Sequence, residues 1–301
     1  MEGKMFKGSI TAMVTPFKDG KVDVPAFKKY IDWQINEGSH GLSPCGTTGE
    51  GSTLSLEEHK QIIETCVEVS NGRVPIIAGI SSNNTSIALK LVNNATTAGA
   101  NGVLAVTPYY NKPTDEGIFQ HYKAIHDESN LPMVLYNVPG RTGIDISFEV
   151  LGRIKKYLPN VVGIKDASSE VRRVSETRHV LGHGFAQLSG DDPTVVGFRA
   201  MGGVGSISVT SNIAPRLCAD LHEACDRGDY SGALKINDMI LPIYRAISIE
   251  TNPTPIKFAL SLLGVCEPDV RLPLVKPLKK TQGLIASSIA EVGLGSSKLG
   301  T

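Results

Sequence analysis

The sequence predicts an α/β chain folded as a (β/α)8 barrel with a C-terminal helical appendage. Three observations carry that prediction. Short, β-branched and often continuously apolar runs recur along the chain, stretches of helical length separate them, and after the eighth run helices follow one another with no strand between. Continuously apolar runs mark parallel strands covered on both faces. A row of strand–helix units joined by right-handed crossovers then closes most simply into a barrel. An open doubly wound sheet is the competing topology. It is weakened because no G-x-G-x-x-G follows the first run, and that motif is the dinucleotide signature of the open fold.

Taken in order, strands are expected at 8–15 (GSITAMVT), 41–46, 74–80 (VPIIAGI), 102–107 (GVLAVT), 132–138 (PMVLYNV), 161–167 (VVGIKDA), 186–190 and 203–209 (GVGSISV). Asp23 with Pro25 opens the first helix and Gly38 follows its end. Ser55-Leu56-Glu57-Glu58 reads as a capping box, in which the Ser55 hydroxyl and the Glu58 carboxylate satisfy free amides of the first turn. The gap before the eighth strand holds only a short helix. Residues 213–227, 231–249, 254–263 and 275–291 read as helices. The first closes the barrel and the other three form the appendage. The chain therefore divides into a catalytic barrel over 1–230 and a helical region over 231–301, with a frayed tail from Gly295.

Composition sets outer limits. The chain is 41% hydrophobic and 20% charged, an ordinary globular balance that needs no disulfide or metal staple at this length. Lys+Arg and Asp+Glu are both 30, so net charge argues for neither nucleic acid nor an anionic membrane. No apolar run approaches the roughly 18 residues of a spanning segment, and Met1 to Phe6 carry no signal-peptide apolar region. The five cysteines form no C-x-x-C pair and no zinc pattern with histidine. They read as reduced thiols, and a cytoplasmic location is expected.

A barrel of this kind carries its chemistry at the C-terminal ends of its strands. The second strand ends in Gly46-Thr47-Thr48-Gly49-Glu50, a tight turn whose amides and hydroxyls suit a small carboxylate, or which merely leads to the capping box. The fourth ends in Thr107-Pro108-Tyr109-Tyr110-Asn111, where paired tyrosines are either functional phenols or rim aromatics. The fifth ends in Tyr136-Asn137-Val138-Pro139-Gly140-Arg141, where Arg141 offers a planar fork for a carboxylate or a surface ion pair. The sixth holds Lys165, the sharpest local signal. Burying an ammonium costs several kcal/mol unless it is paired or neutralised, and a neutral amine is what attacks a ketone. The alternative is a structural ion pair. Strand alternation sends Asp166 to the opposite face. Asp191 and Asp192 after the seventh strand lack a third metal ligand and are expected to cap the helix near Pro193. No metal site is expected, and none of the seven histidines ends a strand.

Together these segments resemble the dihydrodipicolinate synthase / N-acetylneuraminate lyase superfamily of Schiff-base barrel enzymes. The resemblance runs from Gly8-Ser9-Ile10 to Arg271-Leu272-Pro273 and includes Asn252-Pro253-Thr254-Pro255-Ile256-Lys257. Thr47-Thr48 and Arg141 match the branch that condenses pyruvate with L-aspartate 4-semialdehyde on the lysine pathway, where the sialic-acid branch has Ser-Thr and lacks the arginine. The resemblance implies that Lys165 forms an imine with pyruvate and that Tyr136 relays protons. It further implies that Thr47 links Tyr136 to Tyr110, donated across a dimer interface. Thr48, with the backbone near Gly190 and Ile207, would hold the pyruvate end, and Arg141 the carboxylate of the semialdehyde. No cofactor is implied beyond the covalent imine, and the assembly implied is a homotetramer of two tight dimers. Feedback-sensitive relatives carry a histidine where this chain has Leu56 and a glutamate where it has Ile87, which implies weak or absent inhibition by lysine. Two other functions stand beside this one: a pyruvate aldolase acting on a sugar acid, and a barrel that binds without catalysing.

Overall fold

Side chains of Gly8–Ala12 (β1) alternate between two destinations. Ile10 and Ala12 enter the barrel interior, while the Thr11 hydroxyl donates outward to Gln34 Oε1 at 2.9 Å on the flanking helix. The same period-two division runs round the whole barrel in this computed structural model, which describes residues 6–295. The remaining strands are Gly41–Ser43 (β2), Ile77–Gly79 (β3), Gly102–Val106 (β4) and Met133–Asn137 (β5). Val161–Asp166 (β6), Ala186–Ser189 (β7) and Gly205–Ser208 (β8) complete the set. All neighbours pair in parallel, and β8 returns to β1 through Gly8–Gly205 and Ile10–Ile207. The seam between β2 and β3 is closed by a Leu42–Ile76 bridge and by the Gly79 amide donating to Pro44 O at 2.9 Å.

The interior is a packed core, filled by Ile10, Ile77, Leu104, Val134, Leu188 and Ile207. Phe6 stoppers its N-terminal end, lying where a Cβ on Gly102 would meet the ring at 2.6 Å. With that end filled, polar chemistry is confined to the other. A larger apolar shell joins the outward strand faces to the surrounding helices. Those helices are Val24–Asn36 (α1), Leu56–Ser70 (α2), Thr85–Thr97 (α3) and Asp115–Glu128 (α4). A single turn, Pro139–Thr142 (α5), precedes Phe148–Tyr157 (α6), Arg173–Leu181 (α7) and the short Val195–Ala200 (α8). Pro215–Asp226 (α9) packs on β1, and Tyr230–Ile247 (α10), Thr254–Leu262 (α11) and Lys279–Val292 (α12) follow it.

The cap signals act as read. Asp23 accepts from the Ala26 amide at the start of α1, and both halves of the Ser55/Glu58 box are present. Three details differ from expectation. The first strand stops at Ala12, and Phe17–Lys18 and Lys21–Val22 form a small hairpin around Asp19-Gly20, both at positive φ (52° and 76°). Asp-Gly is the dipeptide that such a turn favours, so the signal was in the sequence. The last helix begins at Lys279 rather than 275, because Pro277 biases Lys276 away from helical backbone. Asp191, at the N-cap position of the 192–194 turn, makes no cap bond to a backbone amide, and neither does Asp192. Its Oδ2 accepts from the Val209 and Thr210 amides (3.1 and 2.8 Å) and the Thr210 hydroxyl (2.7 Å), binding the β7 loop to the β8 loop. The tail after Gly295 lies outside the described residues.

Candidate active site

Strand register brings Lys165 and Tyr136 side by side. Tyr136 pairs with Lys165, Lys165 pairs with Leu188, and Val106 pairs with Tyr136, so four neighbouring strands supply one row. Lys165 is 6% exposed, and its Nζ lies 4.3 Å from the centre of the Tyr136 ring. The two ion pairs buried on both sides belong to others: Arg173 takes Asp166 at 3.0 Å and Lys257 takes Glu50 at 2.7 Å. Among the described residues no carboxylate pairs with Lys165, so the structural-ion-pair alternative has no partner. Asp166 does face outward, held by Arg173 and by Asn137 Nδ2 at 3.3 Å. Gly190 stands against the lysine stem, since a Cβ there would lie 3.0 Å from Lys165 Cε. Any larger residue would crowd the amine.

One member of this row, Val106, lines a cavity of about 270 Å³, whose wall includes neither Lys165 nor Tyr136. Val106 and Val138 floor it, and Thr47, Tyr109, Arg141 and Asn252 stand round it. Thr48 is buried behind, and its hydroxyl oxygen accepts from Asn252 Nδ2 at 3.0 Å, which leaves its own O–H to donate. Asn252 Oδ1 and Ser81 Oγ are buried polar atoms without a partner, and both residues line this cavity. Buried acceptors and hydroxyls left open in this way mark places where a polar ligand can replace lost water. Arg141 is exposed on the one-turn α5, and among the described residues its guanidinium makes no ion pair. It also borders a second cavity of about 250 Å³ with Gly190, Asp191, Asp192 and Asn252. An arginine that makes no ion pair on a cavity wall is suited to an anionic ligand, and the first cavity is the better place for one, since Asp191, Asp192 and Glu250 all border the second. Ile207 is buried in the interior beneath.

Of the predicted residues, Thr47 and Arg141 line the first cavity and Gly190 the second, whereas Lys165, Tyr136, Thr48, Ile207 and Tyr110 line neither. Tyr110 is 89% exposed, with φ at 68°, and is not on the wall of the cavity that its neighbour Tyr109 lines. Asn252, Glu50 and Lys257 were quoted only inside longer motifs and given no role from sequence. Their partners lie some two hundred positions away. None of the histidines lines the cavity. His59 is buried, with Nε2 on Gly79 O at 2.8 Å. No cluster of His, Cys, Asp or Glu able to hold a metal occurs among the described residues.

Comparison with known proteins identifies the family. Residues 5–291 match the model of the dihydrodipicolinate synthetase family. A 4-hydroxy-tetrahydrodipicolinate synthase of Rhodospirillum centenum is 51% identical over 290 residues, covering 96% of this chain and 99% of its own. A solved dihydrodipicolinate synthase of Acinetobacter baumannii, complexed with pyruvate, superposes with TM-score 0.93 at 42% identity, over 96% of this chain and 99% of its own. A solved monomeric dihydrodipicolinate synthase variant gives TM-score 0.94 at 40% identity, over 96% of this chain and 98% of its own.

Proposed function

The chain belongs to the dihydrodipicolinate synthetase family, and from that premise we infer that it condenses pyruvate with L-aspartate 4-semialdehyde to give 4-hydroxy-tetrahydrodipicolinate. The observation that carries the reading is Lys165, an amine inside the barrel with an aromatic face beside it, a glycine clearing its stem and no carboxylate to neutralise it. Such an amine adds to the pyruvate ketone. Loss of water gives a protonated imine, and the imine draws electrons from the adjacent methyl, which loses a proton to become an enamine. The enamine carbon attacks the aldehyde, and the amino group of the semialdehyde then displaces the lysine as the ring closes. The imine is itself the electron sink, so the reaction as proposed calls for no cofactor.

Roles follow from position. Tyr136, against the amine, carries protons to and from the reacting oxygens. Thr48, with its donor free, holds the pyruvate carboxylate together with the backbone near Gly190 and Ile207, while Thr47 on the cavity wall links Tyr136 to Tyr110. Arg141 takes the second carboxylate, which disfavours a polyol substrate. We assign Tyr110 to the site of a neighbouring subunit, in a homotetramer of two tight dimers. In support, Tyr110 is fully outside its own cavity, and exposed Leu272 adjoins Pro273 and Leu274 on the cavity wall. No helix among the described residues is long and apolar enough to cross a membrane. All five cysteines are free, which suits a reducing compartment, and we place the enzyme in the cytoplasm. Leu56 and Ile87 pack partly into the core, and lysine is expected to leave the rate unchanged at micromolar concentration.

Borohydride trapping tests the central claim. Protein incubated with pyruvate and reduced should carry one adduct, mapped to Lys165 by peptide mass. An unmodified Lys165 would overturn the mechanism.

A further inference from the structure

Two lysines are buried among the described residues, Lys165 and Lys257. The second is 0% exposed and lies on α11, outside the barrel. Its Nζ donates to Glu50 Oε1 at 2.7 Å, and the second oxygen of Glu50 accepts from the Arg271 amide at 2.9 Å. Phe17 lies between the two cations, with Lys257 Nζ 4.1 Å and Arg271 Cζ 4.2 Å from its ring centre. Arg271 in turn donates to Thr53 O at 3.0 Å and pairs with Glu58, the capping-box residue of α2.

Glu50 is the last residue of the turn that carries Thr47 and Thr48. Its backbone sits in the left-handed region at φ 53° without being glycine, and its amide donates to Thr47 O at 3.1 Å. A carboxylate and an ammonium taken wholly out of water gain little over apolar residues of the same volume, and often lose. Net stability is therefore a poor account of this pair. What it does supply is geometry, because two fixed hydrogen bonds on one carboxylate hold a strained backbone two residues from Thr48. The same C-terminal region reaches this turn a second time, at Thr48, through Asn252.

We propose that Glu50 and Lys257 are positioning residues for the Thr47–Thr48 turn, so that the C-terminal helical region sets the geometry of the pyruvate-binding end of the site. The proposal rests on the assignment of that turn to pyruvate. Displacement of binding groups by about 1 Å can cost on the order of a hundredfold in rate, so a small relaxation of the turn is measurable.

The full-length double variant Glu50→Met/Lys257→Met removes both charges together, and Glu50→Gln keeps chain length and an acceptor for the amine. The double variant is expected to melt close to the wild type and to lose about tenfold or more in kcat/KM for pyruvate, with the KM for the semialdehyde within about twofold. Glu50→Gln should recover part of the pyruvate loss. A merely structural pair would not separate the two substrates. Wild-type kinetics in both variants, equal loss for both substrates, or failure of both to fold would each overturn the proposal. The wild-type protein is trapped with pyruvate and borohydride in parallel. Absence of its Lys165 adduct would sink the reading of the site instead.

Discussion

Lys165 and Arg141 are the two cations of the site without a protein carboxylate, and they differ in what their removal should do. Lys165 is buried and unpaired, so its amine is held at a cost to the fold. Lys165→Met should therefore keep or raise the melting temperature while lowering kcat/KM by roughly four orders of magnitude or more. A Met variant that melts lower and still turns over would count against the assignment. Arg141 is exposed and makes no ion pair, so Arg141→Ala should leave the melting temperature unchanged. Its loss should appear in the KM for the semialdehyde, by about 1.5–3 kcal/mol, the usual worth of a hydrogen bond to a charged group, with the KM for pyruvate unaltered. Arg141→Lys should restore only part of this, since an ammonium cannot reproduce the bidentate fork. Initial rates with each substrate varied in turn decide both points.

At the scale of elements, the turn after β2 is held by close backbone packing as well as by charge. A Cβ on Gly79 of β3 would lie 2.6 Å from the carbonyl of Cys45 and from the amide nitrogen of Gly46, and neither backbone can step aside. Gly79→Ala should cost about 1–3 kcal/mol by overpacking, read from the denaturant midpoint. It should also raise the KM for pyruvate, because the displaced atoms begin the Thr47–Thr48 turn. A stability loss with unchanged kinetics would show that the turn absorbs the shift. Strands, caps and the strand-end residues were legible because each depends on neighbours a few positions away: apolar runs, Ser55 with Glu58, a lysine late in β6. The bonds that hold the turn were not. Lys257 reaches Glu50 across the chain, Asn252 reaches Thr48, and Asp192 leaves its own helix for Thr210. Sequence marks such residues only as polar groups in apolar surroundings, and their partners are set by tertiary packing. The hairpin at Asp19-Gly20 was missed for the opposite reason, since its strands of two residues are too short to show a period.

For the molecule as a whole, burial of imidazoles sets the response to acid. Burial holds His121 down at about 4 and His222 at about 3, the latter helped by nearby Arg199 and His40, and it lowers His59 as well. An unfolded histidine titrates near ~6.5, so between these values the unfolded chain binds more protons than the folded one. Stability from these groups is thus fully present above about pH 6.5 and is lost as pH falls toward their folded values, by up to a few kcal/mol each for His121 and His222. His222→Gln, which can still meet the Ser206 hydroxyl, should flatten the fall in melting temperature between pH 7 and 5, and parallel curves for the two proteins would remove His222 from the account. Assembly is the other property at this scale. Tyr110 is 89% exposed and does not line the cavity of its own chain. If it serves a neighbour, Tyr110→Phe loses turnover yet is still trapped by pyruvate at Lys165, and Lys165→Ala is inactive for the complementary reason. Mixed dimers of the two contain one site with both an intact lysine and a donated phenol. Unfolding the two variants together and refolding them should therefore restore a substantial fraction of wild-type activity, which neither regains alone. Mixed dimers confirmed by mass that stay inactive would place Tyr110 outside the reaction.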